Sequence, residues 1–145
     1  MSATTGDDPY PTPNPRDDQD GLGRSGSARS GLQVPAGSSY VGVLRITAAG
    51  LAAQAELTVE DIEDLRMAIG EACALLLDCG GGETMSADFE LTPGSITVTI
   101  AVDAAGEPDR DSFGWQVLRT IAASASAETS PDSRAIRFTI VGERV

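Results

Sequence analysis

The sequence predicts an α+β fold: a two-layer sandwich with helices covering one face of a mostly antiparallel sheet. Three observations carry that expectation. Stretches 40–55 and 59–78 repeat apolar residues at helical spacing. Stretches 86–91 and 95–102 alternate apolar and polar residues around a Thr92-Pro93-Gly94 turn. The resulting order is strand, helix, helix, strand, strand, helix, strand, which suits two layers around one core. A chain of 145 residues is long enough for one such domain.

Taken in order, residues 1–30 read as a disordered tail, rich in Pro, Gly, Ser and Asp and too poor in apolar residues to order itself. The folded domain is expected over 31–145. Leu32-Gln33-Val34 reads as a short first strand, and 35–39 lead out of it. The first helix, 40–55, carries Val43, Leu44, Leu51 and Ala55 at helical spacing. Thr58-Val-Glu-Asp61 resembles a capping box, with Asp in the place of the usual Glu. The second helix follows to about Asp78. Its apolar face holds Ile62, Leu65, Ile69, Ala72 and Leu76, widened by Met67 and Leu75. Gly80-Gly81-Gly82 stops it.

In the strand 95–102, Ile96, Val98, Ile100 and Val102 face one way and Thr97 and Thr99 the other. Residues 103–111 form a polar loop. A helix is expected over 113–123, with the only tryptophan, Trp115. The last strand, 134–141, alternates Ile136, Phe138 and Ile140 against Arg137 and Thr139. Burial is expected for Ile69, Ala72, Leu76, Val98, Ile100, Leu118 and Phe138. There are no internal repeats.

Charge and composition exclude several functions. The net charge is −12, and every cation is arginine. The tail contributes −2, so residues 31–145 carry −10. Such a surface repels phosphates, which argues against direct nucleic-acid binding, and it attracts a basic partner. Histidine is absent, which removes Ser-His-Asp and Cys-His catalysis and the usual zinc ligand sets; no metal site is expected. Cys73 and Cys79 are six positions apart, on different faces of one helix, so free thiols are expected. No apolar run approaches the ~20 residues of a membrane-spanning helix. The polar, acidic N-terminus does not look like a secretory signal, so a cytoplasmic location is expected.

Three segments resemble the RsbW-type anti-sigma factors and serine-protein kinases. They are Tyr40-Val-Gly-Val-Leu-Arg45-Ile-Thr, Val59-Glu-Asp-Ile-Glu-Asp-Leu-Arg-Met-Ala-Ile-Gly-Glu71-Ala-Cys73, and the closing Gly142-Glu-Arg-Val. The resemblance covers roughly 31–145 and implies a kinase-type ATPase (Bergerat) fold. It also implies a function in transcription regulation and stress response: binding an alternative sigma factor to keep it from RNA polymerase, with release by an anti-anti-sigma partner. Homodimerisation is common in the family. Two alternatives stay open: an active serine kinase that phosphorylates an anti-anti-sigma factor, or a non-catalytic module that titrates such proteins.

The resemblance also implies where a nucleotide would bind, and each part is altered. Glu71 stands at the metal-binding acid position, but the residue one turn on, at i+4, is Leu75, which offers no oxygen to Mg²⁺. Asp103 follows the right strand to hold an adenine amino group, but Gly106 is displaced by one residue from the family spacing. Gly114 alone remains of the glycine-rich segment that would wrap the phosphates. Ten residues separate Asp103 from Gly114, leaving little room for a lid. The expectation is therefore a degenerate, inactive kinase site without a cofactor. Any residual Mg-ATP affinity would rest on Glu71 and Asp103. For the partner contact, Arg45 is the expected residue. It is 26 positions before Glu71, the spacing at which a related sporulation anti-sigma factor places an arginine that meets its sigma factor.

Overall fold

A computed structural model of the chain describes residues 27–142. Of the tail expected over residues 1–30, residues 1–26 lie outside the described residues, as do the closing residues 143–145, whereas Ala28 to Ser30 belong to a strand. The elements are β1 (Ala28–Pro35), α1 (Val41–Gln54), α2 (Val59–Leu77), β2 (Thr84–Thr92), β3 (Ser95–Asp103), α3 (Phe113–Ile121), β4 (Ser124–Ser130) and β5 (Ser133–Val141). The five strands form one antiparallel sheet in the order β1-β2-β3-β5-β4. The α+β sandwich is as the residues predict.

Alternation along the strands builds the core. Phe89, Val98 and Phe138 are aligned across β2, β3 and β5, and all three are buried. Met85, Ile96, Ile100 and Ile136 share that face. Against it lie Leu44, Ala48 and Ala52 of α1, Leu65, Ile69, Ala72 and Leu76 of α2, and Leu118 of α3. Small alanines on α1 let the helix approach closely, and the packed aliphatic surface supplies most of the stability. All seven residues expected to be buried are buried.

α2 begins as the sequence reads. The Thr58 hydroxyl accepts from the Asp61 N–H at 3.2 Å, and the Asp61 carboxylate accepts from the Thr58 N–H at 2.9 Å, a reciprocal capping box. It ends at three glycines, all with positive φ. At Gly82 a Cβ would stand 2.6 Å from the Asp103 carbonyl oxygen, so the chain can pass the end of β3 there only without a side chain.

Several elements differ from the expectation. β4 was not expected. Its Ser-Ala-Ser-Ala-Glu-Thr-Ser sequence has little intrinsic strand preference, and pairing with β5 across the Pro131-Asp132 turn overrides that. α3 consequently stops at Ile121 rather than 123. β1 is longer than three residues and starts at Ala28, because it pairs along all of β2 from Leu91 to Thr84. A short 3-10 turn, Ser38–Tyr40, precedes α1. Val43 and Met67, assigned to apolar helix faces, are 43% and 51% exposed. No described helix is long and apolar enough to cross a membrane.

Candidate functional site

α2 carries the residues of interest on two of its faces. On one, Glu71 meets the first turn of α3. The Ser112 side chain caps α3 by accepting from the Trp115 N–H at 3.1 Å. Gly114 then lies directly against Glu71: a Cβ at position 114 would stand 2.6 Å from Glu71 Oε2. The carboxylate thus fills the space beside the N-terminal end of the α3 dipole, where a bound anion would be favoured. One turn on from Glu71, Leu75 is buried among the core residues. Glu71 and Gly114 are brought together, as expected, but they close on each other.

Asp103 is not brought to them. It is exposed and shares the outward alternation of Thr97, Thr99 and Ala101, away from the helices. There it borders a groove with Gln33, Ser86, Ala101 and Ser133 on the helix-free face. The inward residue is the next one, Ala104, which is buried and lies two positions before Gly106. The residue with inward parity at this end of β3 is thus an alanine, and the acid before it faces away from the helices.

Gly106 belongs to a different cluster. A Cβ there would stand 2.6 Å from the Cys79 carbonyl oxygen, so the loop rests on the C-terminal end of α2. Arg134, which the sequence reading passed over, holds the loop in place. It is only 6% exposed. Its guanidinium donates to the carbonyls of Gly106 at 2.6 Å, Ala105 at 2.7 Å and Ser133 at 2.8 Å, and also to that of Ser130. It reaches the Glu107 carboxylate at 3.4 Å. The signal was available: Arg134 has the parity of Ile136 and Phe138, so it points into the helix-covered layer.

Burial disfavours the thiolate form of both cysteines. Burial pushes the Cys73 thiol up to about 12, against the opposing charge of Arg45. Burial also raises Cys79, with Arg134 opposing and the Glu107 and Asp78 carboxylates adding to the rise. Both are free cysteines. Among the described residues, no three His, Cys, Asp or Glu side chains are grouped to hold a metal ion.

On another face of α2, Arg45 crosses from α1. Its Nε donates to the Arg66 carbonyl at 3.3 Å, and its guanidinium lies over Gly70. Glu56, the acid nearest to the end of α1, does not pair with it; among the described residues no carboxylate comes within ion-pair distance of Arg45. Arg45, Glu63, Arg66 and Met67 line a groove between α1 and α2. On a different face of α1 and its approach, Tyr40, Val43 and Ile46 are exposed, Ile46 at 74%.

No family model matches the chain. It is 37% identical over 84 residues to the serine-protein kinase RsbW of Halalkalibacterium halodurans, covering 57% of this chain and 51% of that protein. It is 32% identical over 82 residues to the serine-protein kinase RsbW of Bacillus subtilis, with the same coverage of 57% and 51%. The chain spans about half the length of the curated relatives it matches. Among solved structures it is similar to a chain carrying the RsbU and RsbW domains of a Mycobacterium tuberculosis protein. The TM-score is 0.58 over 81% of this chain and 34% of that one; at 13% identity this is a likeness of fold.

Proposed function

From the premise that this chain is a relative of the RsbW-type serine-protein kinases, we propose that it is an anti-sigma factor that acts by binding rather than by phosphoryl transfer. It sequesters an alternative sigma factor in the cytoplasm, and an anti-anti-sigma protein releases it. The observation that carries the non-catalytic part is the closure of Glu71 onto Gly114 above a buried Leu75. Phosphoryl transfer depends on positioning and on metal electrostatics. Here the expected metal acid lies against Gly114, its i+4 partner is a hydrocarbon, and Ala104, not Asp103, has the inward parity after β3.

The binding part is supported by Arg45. An arginine without an acidic partner among the described residues, in a groove with Met67, stands ready for a bidentate pair with a partner carboxylate, while Val43 and Ile46 are exposed on another face of α1. The same exposed apolar residues of α1 support assembly as a homodimer. The decisive experiment is titration of the chain against alternative sigma factors of the same cell. Binding that falls about 30-fold or more for Arg45→Ala, and further for Arg45→Glu, is expected for an interfacial charge pair. Equal affinity of both variants, with the fold intact by circular dichroism, would remove Arg45 from the interface.

A further inference from the structure

We infer that Gly70 is a positioning residue: its missing side chain is the seat that holds the Arg45 guanidinium for a partner carboxylate. The inference rests on the proposed sigma-factor contact of Arg45 and deepens it.

Gly70 is in the interior of α2, where glycine is a poorer helix former than alanine. Its backbone has none of the positive φ that would require glycine. The reason for it is lateral. A Cβ at position 70 would collide with Arg45 Nη2 and stand 3.2 Å from Cζ and 3.5 Å from Nε. The guanidinium therefore lies across the bare backbone of α2. One turn earlier on the same helix, the Arg66 carbonyl accepts from Nε at 3.3 Å. Seat and hydrogen bond together fix a side chain that would otherwise sample many rotamers, so less freedom is lost when a carboxylate binds.

Two other helix glycines supply the contrast. At Gly42 and Gly50 of α1, a Cβ would meet nothing within 4 Å. Those positions accept alanine freely, whereas alanine at Gly70 obliges the Arg45 guanidinium to leave its place. The held guanidinium borders the groove lined by Glu63, Arg66 and Met67. The matching partner segment presents a carboxylate next to an apolar side chain.

The test is a cycle of Gly70→Ala, Arg45→Ala and the double variant, with Gly50→Ala as control. Each is followed by thermal unfolding and by titration against the sigma factor. In the Arg45→Ala background, Gly70→Ala should raise Tm by about 3–6 °C, as should Gly50→Ala in the parent. In the parent, Gly70→Ala should give no such rise. It should also weaken sigma-factor binding roughly tenfold, yet change it less than about twofold once Arg45 is gone. An equal gain in Tm in both backgrounds, or unchanged affinity in the parent, would overturn the inference. If the parent chain binds no sigma factor, the proposed function fails, and the thermal cycle alone decides whether the seat exists.

Discussion

Replacing Arg134 by methionine removes a guanidinium and keeps most of its aliphatic stem. The structure sets the size of the effect. Four backbone carbonyls lose a charged donor, and the group that served them is 6% exposed. Hydrogen bonds to a charged group contribute about 1.5–3 kcal/mol each, but they are not additive, and desolvating one guanidinium offsets part of the sum. The carbonyls of Ala105 and Ser130 belong to exposed residues and can turn to water. Those of Gly106 and Ser133 are on half-buried residues, with less access to water. The expected loss is about 2–4 kcal/mol. In urea denaturation, with a slope of about 1.5 kcal/mol per M, this lowers the midpoint by roughly 1.3–2.7 M with the slope unchanged. Arg134→Lys, a point charge that cannot fork, should fall between parent and methionine. Glu107→Gln should cost less than about 0.5 kcal/mol, because that carboxylate is 69% exposed at 3.4 Å. A methionine variant within about 0.5 kcal/mol of the parent would refute the claim that Arg134 holds the loop.

Other residues give further expectations. Glu56 follows the end of α1 with φ of 63°, a left-handed conformation that glycine adopts without strain, so Glu56→Gly should stabilise by roughly 0.5–1 kcal/mol in the same urea assay. The Cys73 thiol is raised from 9.0 to about 12 in the folded chain, so it favours folding below pH 9. That contribution is lost as pH rises from about 9 towards 12, with a slope approaching about 1.4 kcal/mol per unit; Cys73→Ala should flatten the decline measured between pH 9 and 10.5. Sedimentation at tens of micromolar should show a dimer, and Ile46→Glu, at a residue 74% exposed, should shift it to monomer without lowering Tm; a parent that is strictly monomeric would count against the dimer.

Most of the fold could be read from side-chain periodicity, because burial enforces it. The alternation of Ile96, Val98, Ile100 and Val102, the helical spacing of Leu65, Ile69, Ala72 and Leu76, and the Thr58–Asp61 capping box all appear where their spacing puts them. β4 was hidden because its strand state comes from pairing with β5, and its serines and alanines carry no periodic contrast strong enough to announce it. At the site, the place of Leu75 one turn from Glu71 was visible because i and i+4 share a helix face. Asp103 was read by residue type, when strand parity assigns the inward place to Ala104 and the outward one to Asp103. The same parity would have found Arg134, a charge in register with Ile136 and Phe138. The seat of Arg45 on Gly70 could not be seen beforehand, since it depends on how two helices cross.

The central claim, a binding regulator without phosphoryl transfer, is tested most directly by calorimetric titration of the chain with its sigma factor in the presence and absence of Mg-ATP. A radiolabelled phosphate-transfer assay on the anti-anti-sigma partner is run beside it. The account predicts sigma-factor affinity that is the same with and without nucleotide, no heat from Mg-ATP alone, and no label on the partner. Micromolar Mg-ATP binding together with label transfer that is abolished by Glu71→Gln would contradict it.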